Sequence, residues 1–233
     1  YLLYTRNVKP ESADHYILTF QSKKNKRILR SELYYKDYKD LVKTDPEIFY
    51  LPTAYNNSGN GHAYGLDVFW RDNKTFRNAE YWVSYGYVDS ERDFRDYPYT
   101  ATPAFTSKHN LSVVVKYWID EIRALVGTSY RFSSPRKYHD PNLPGFNNRE
   151  TIPYQTLDFN VSYLHRENII FYAAVTNVPG FRQEYGQRFA EIPNSDGVFA
   201  GEDIIPGSDR FFLLACFITL SKRGDSNQLD EIE

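Results

Sequence analysis

Methionine is absent from the 233 residues, cysteine occurs once, and no apolar run exceeds Phe211 to Ile218. The missing methionine includes position 1, so translation is expected to start upstream, where any signal peptide would lie. The single thiol, Cys216, excludes an intrachain disulfide and a multi-cysteine metal site. Its expected place is that of a small packed or lipid-facing residue. Helices that span a membrane need about 18 or more consecutive apolar residues, which excludes spanning by helices. Neither sign of charge dominates, since 28 Lys and Arg stand against 30 Asp and Glu for a net charge of −2. The chain as a whole has no basic field for nucleic acid or an anionic surface.

Catalytic signatures are also missing. There is no G-x-S-x-G elbow, H-E-x-x-H, P-loop or G-x-G-x-x-G. His15, His62, His109, His139 and His165 are spread one to a segment, so no local ligand set converges on a metal, and His139-Asp140 stands alone. The acidic run Asp89 to Asp96 carries Arg92 and Arg95, which offset its carboxylates and argue for a self-paired loop over a calcium site. Neither an enzyme nor a cofactor is expected.

What is abundant is aromatic surface mixed with polarity: 21 Tyr and 16 Phe bring aromatics to 17%, while charged residues make up 25%. The two kinds alternate with a period of two. Leu157, Phe159, Val161 and Tyr163 share one face, with Asp158, Asn160 and Ser162 on the other. Tyr81, Val83, Tyr85 and Tyr87 oppose Glu80, Trp82, Ser84 and Gly86, and Leu111, Val113, Val115 and Tyr117 oppose Asn110, Ser112, Val114 and Lys116. A helix would mix these sets. A transmembrane barrel needs only alternate residues to face lipid, so a polar average composition is compatible with a membrane location.

This periodicity predicts nine strands, near 14–22, 27–41, 62–71, 75–88, 108–118, 122–133, 154–164, 168–177 and 210–220. Most reach the roughly 9–11 residues that a tilted strand needs to cross a bilayer, against about five or six in soluble sheets. Tight charged turns (Lys23 to Lys26, Asp72 to Lys74, Asp120 and Glu121, His165 to Glu167) alternate with long connections (Val42 to Gly61, Asp89 to Ser107, Ser133 to Pro153, Val178 to Asp209). Soluble domains rarely carry structureless loops beyond about 12–15 residues, whereas outer-membrane barrels pair short periplasmic turns with long extracellular loops. The fold class expected is all-β: an antiparallel transmembrane β-barrel represented by about nine consecutive C-terminal strands within residues 1–221, with a polar periplasmic tail over 222–233. An odd strand count leads us to expect further strands before residue 1.

At this point particular segments can be compared with a known family. Asn7-Val8-Lys9-Pro10-Glu11, Tyr64-Gly65-Leu66-Asp67-Val68, Val175-Thr176-Asn177-Val178, the closing run Asp209-Arg210-Phe211-Phe212 and the tail Asn227-Gln228-Leu229-Asp230 resemble segments of the C-terminal barrel of TonB-dependent outer-membrane receptors, in the form common among Bacteroidota. Val8 stands where the family usually has Leu, and Asp67 where it usually has Glu. The resemblance implies a plugged barrel of 22 strands in the outer membrane that imports a nutrient ligand (siderophore, glycan, peptide or similar). Its partners would be membrane lipid, the ligand, and the TonB energy-coupling complex through an N-terminal plug region absent from this sequence.

Candidate site residues follow from position. Arg95, Tyr97, Tyr99 and Phe105 in one long loop, and Tyr138 and Phe146 in another, offer flat apolar faces beside polar donors and are candidates for ligand contact. The same aromatics also suit simple interfacial anchoring. Glu80, Lys116, Arg131 and Asp158 lie on the polar strand faces and should line the lumen. Two other readings fit parts of the pattern: a passive porin, and a soluble all-β carbohydrate-binding module, in which the apolar faces would be buried between sheets.

Overall fold

The computed structural model describes residues 8–220, and the Asn227 motif and the 222–233 tail lie outside them. The alternating segments become long strands: β1 (Ser12–Lys24), β2 (Arg27–Thr44), β3 (Tyr55–Asp72), β4 (Ala79–Asp93), β5 (His109–Ile119), β6 (Ala124–Ser133), β9 (Tyr154–Arg166), β10 (Ile169–Thr176) and β13 (Phe211–Ile218). Between them sit two small loop hairpins, β7 (Lys137–Tyr138) with β8 (Arg149–Glu150), and β11 (Gln187–Phe189) with β12 (Gly201–Asp203). The nine long strands form one sheet in the order β1-β2-β3-β4-β5-β6-β9-β10-β13. Every pairing is antiparallel.

All nine expected strands are present, with three differences in extent. The connection expected from Val42 to Gly61 is shorter, because β2 and β3 continue their ladder to Thr44↔Tyr55 across two register shifts. The run from Asp89 is not all loop, since β4 extends to Asp93 and brings Arg92 into the sheet. In the other direction, β4 begins at Ala79 and not near residue 75. There the buried Asp72 carboxylate accepts hydrogen bonds from the Lys74 and Thr75 amides (2.8 and 2.9 Å) and the Thr75 hydroxyl (2.6 Å), which hold those residues in a turn.

Register turns alternation into two continuous faces. One row reads Trp70↔Val83↔Val113↔Tyr130↔Leu157, and another Tyr81↔Val115↔Thr128↔Phe159↔Val175↔Phe212. The opposite face carries Ser84↔Ser112↔Arg131↔Thr156 and Glu80↔Lys116↔Gly127↔Asn160↔Ala174. No second layer covers the apolar face among the described residues. Among the described residues only Leu41, Ala54, Ala63, Phe94, Tyr97, Ala124 and Leu164 are buried hydrophobics, whereas Leu18 is 70% and Phe159 41% exposed. Each large apolar side chain left in water forgoes about 1.5–3 kcal/mol, so a sheet with this many needs an apolar medium against it.

The ends of the sheet differ. At one end, Asn25 and Lys26 both take positive φ (52° and 60°) in a two-residue hairpin turn, the geometry that matches strand twist. The long connections gather at the other end, where Phe94 and Tyr97 pack on Leu41 with Tyr38, Ala101 and Phe146 against them.

Candidate functional site

Beneath the long connections the polar face is grooved. Three adjoining concavities, of about 360, 310 and 380 Å³, all share Asn110 as a wall. Asn110 is held from both sides: its amide donates to the Ser107 carbonyl (3.0 Å) and its carbonyl accepts from the Ser133 hydroxyl (2.8 Å). Tyr34, Asp67 and Arg131 line the part nearest mid-sheet; Lys36, Arg92 and Phe105 line the second part, and Arg136, Tyr154 and Tyr185 the third. Tyr154 and Tyr185 face each other with ring centroids 6.3 Å apart, which brings the β10–β13 connection over the groove.

The groove's electrostatics are uneven. Arg131 has a carboxylate nearby, Asp158 at 3.5 Å. Lys36, Arg92 and Arg136 have none within ion-pair distance among the described residues. Arg92 instead lies over aromatic rings, with its guanidinium carbon 4.1 Å from the Tyr38 centroid and 5.4 Å from that of Phe105, and its Nε is buried without a hydrogen-bond partner. Lys36 Nζ stands 5.2 Å over the Tyr34 ring. Ring faces hold these cations without neutralising them. Lys108, just outside β5, donates to Asp89 of β4 at 2.6 Å, and that hydrogen bond holds the lysine's pKa above its usual range.

The four polar-face residues singled out from sequence all belong to this face. Glu80 pairs with Arg71, Lys116 stands 5.2 Å over the Trp82 ring, and Asp158 accepts from the Thr156 hydroxyl (2.6 Å) and the Asn177 amide (2.9 Å). The loop candidates separate. Tyr97 is buried and meets Phe146 edge-on at 4.5 Å, while the Tyr99 hydroxyl accepts from the Phe146 amide at 2.8 Å, so these three tie two loops together. Arg95 is exposed and covers the Phe94 ring at 5.1 Å, and Tyr138 is half-buried in β7. Lys36 and Arg136 were not singled out, and Arg92 was read only as a charge offset in a loop. The available signal was parity: Lys36 continues the alternation of Glu32 and Tyr34 on the polar face of β2.

A sheet of long meandering antiparallel strands is the wall of a transmembrane β-barrel when it is uncovered and apolar on one side, polar and grooved on the other, and capped by long loops at one end. This chain belongs to the TonB dependent receptor-like, beta-barrel family, whose profile matches residues 1–178. Its sheet is similar to that of the ferric-catecholate import receptor Fiu of Escherichia coli K12 (TM-score 0.65, 16% identity, covering 91% of this chain and 28% of that one). It is also similar to the ferric yersiniabactin uptake receptor FyuA of Yersinia pestis (0.70, 13%, 90% and 30%). A third similar structure is the outer membrane transporter YddB of Escherichia coli (0.62, 14%, 91% and 33%). The chain thus spans a third or less of each of these structures. No curated protein gives a significant match by sequence.

Proposed function

We propose that this chain is a sector of an outer-membrane transporter that captures a nutrient ligand beneath its long loops and passes it inward along the polar face. The long connections then face the outside and the short turns the periplasm. Drive would come from the TonB complex acting on a plug that belongs to the rest of the protein. The observation that carries this reading is the pairing of an uncovered apolar face with a polar groove roofed by long loops, in a chain of this family. Capture and passage is the reading that fits a groove of this lining in a chain of this family.

Lys36, Arg92 and Arg136 favour an anionic ligand with flat surfaces, as a metal chelate bearing phenolate or carboxylate groups has. Candidate probes are a ferric catecholate and a neutral maltooligosaccharide, with binding to the full-length protein in detergent followed by quenching of intrinsic fluorescence. Removing one charged hydrogen-bonding group weakens such contacts by about 1.5–3 kcal/mol, so Arg92→Gln should weaken chelate binding by roughly tenfold or more and leave any glycan binding unchanged. Tight glycan binding with no chelate binding would overturn the anionic reading and leave uptake itself standing.

A further inference from the structure

The even charge balance of the whole chain conceals a local imbalance at the short-turn end. The β1–β2 and β3–β4 turns with their flanks hold Lys23, Lys24, Lys26, Arg27, Lys74 and Arg77 against a single carboxylate, Asp72. Asp72 is buried and already engaged by Arg27 at 2.9 Å. Among the described residues, none of the other five cations has a carboxylate within ion-pair distance. The two remaining short turns are mixed in sign, with Asp120, Glu121 and Arg123 in one, and Arg166 and Glu167 in the other. Positive charge is therefore concentrated over two turns that touch, since the Asn73 amide donates to the Lys26 carbonyl at 3.2 Å.

Between these turns lies a concavity of about 480 Å³, walled by Lys26, Lys74 and Arg77 with Asn25, Asn73 and Phe76. The Phe76 ring is 61% exposed and stands 6.1 Å from Tyr81, a residue of the apolar face. Cations, amide donors and an exposed ring thus meet where the apolar face begins. Basic clusters at a membrane surface attract anionic headgroups, and aromatic rings settle at the same depth.

We infer that this concavity binds the headgroup of an anionic phospholipid, its phosphate against Lys26, Lys74 and Arg77 and its glycerol and first methylenes along Phe76 and Tyr81. The inference rests on the membrane reading above. A free phosphate would use the cations and not the ring; the continuity of Phe76 with the apolar face favours a lipid, whose chains run on down that face.

The test uses the full-length protein, extracted in a maltoside detergent and offered equal amounts of phosphatidylglycerol and phosphatidylcholine, with retained lipid counted by native mass spectrometry. At low salt the protein should hold phosphatidylglycerol in about tenfold preference, as a few basic residues near a surface supply. The Lys26→Gln/Lys74→Gln/Arg77→Gln variant should bring that ratio near one, and Lys26→Arg/Lys74→Arg should keep it. If the triple variant loses its heat-sensitive gel mobility, Lys26→Gln alone should show the same trend at smaller amplitude. Equal retention of the two lipids, an undiminished preference in the glutamine variants, or displacement of the lipid by millimolar glycerol 3-phosphate would overturn the site. So would preference for an anionic cell-wall fragment over phosphatidylglycerol. A protein that stays monodisperse without detergent would remove the membrane reading itself, a result distinct from an inserted protein without lipid preference.

Discussion

At the scale of single residues, the side chains that matter most for integrity are polar ones. Asn177 has 1% exposure and takes positive φ (49°), a conformation asparagine tolerates better than most. Its amide nitrogen donates to the Phe181 and Asp209 carbonyls (2.8 and 2.9 Å) and its carbonyl accepts from the Phe181 amide (3.0 Å). Both ends of the 177–210 connection are therefore fastened to one side chain. Leaving buried groups unpaired costs about 1–3 kcal/mol, so we expect Asn177→Ala to expose this connection to limited proteolysis while the sheet stays folded. Asn177→Gly, which restores the backbone freedom but not the bonds, should be cleaved nearly as fast. Asp72 does the same work at the opposite end, and Asp72→Ala should lower the temperature at which the folded band is lost on unheated gels, by a destabilisation of the same order.

At the scale of elements, the two faces make opposite demands on neighbouring positions. Val113 lies between Val83 and Tyr130, and Ser112 between Ser84 and Arg131. An arginine on the lipid face near mid-bilayer costs about 2–4 kcal/mol, so Val113→Arg should reduce the folded fraction in membranes while Ser112→Arg is accepted. Equal behaviour of the two would mean the faces are wrongly assigned. Gly65 makes a sharper demand: a Cβ there would collide with the Tyr87 carbonyl oxygen and the Tyr34 hydroxyl. We expect Gly65→Ala to impair assembly, measured by the same gel shift, more than Gly127→Ala, whose nearest obstacle is the movable Asn160 side chain at 2.7 Å. The strands were legible in the sequence because each one carries its own alternation in adjacent letters. Their ends were not. The polar stretch Tyr55 to Gly61 joins β3 through backbone bonding to β2, beyond the band where apolar side chains mark a strand, and the late start of β4 depends on the reach of Asp72.

At the scale of the whole molecule, the scarcity of buried hydrophobics sets the solution behaviour. Many of the large apolar side chains of the sheet are exposed, so the protein should be monodisperse in detergent and aggregate on its removal, as sedimentation would record. The polar face was legible as a face, because parity places Glu80, Lys116, Arg131 and Asp158 together. The groove was not, since its walls come from strands and loops far apart in sequence: Lys36, Arg92, Asn110, Arg136 and Tyr185 share no local pattern. The loop aromatics were visible as residue types, but whether a ring faces outward or meets another loop depends on contacts such as Tyr97 with Phe146.

One of those loop contacts reaches further. Asn142 and Phe199 exchange two hydrogen bonds, side-chain amide to backbone carbonyl at 2.9 Å and backbone amide to side-chain carbonyl at 2.8 Å, across 57 positions of sequence. The loop end of the sheet is consequently a composite of two connections clasped together. Antibodies raised against either segment as a free peptide should recognise the denatured chain and miss the native one, whereas those raised against the intact protein should lose their epitope in Asn142→Ala.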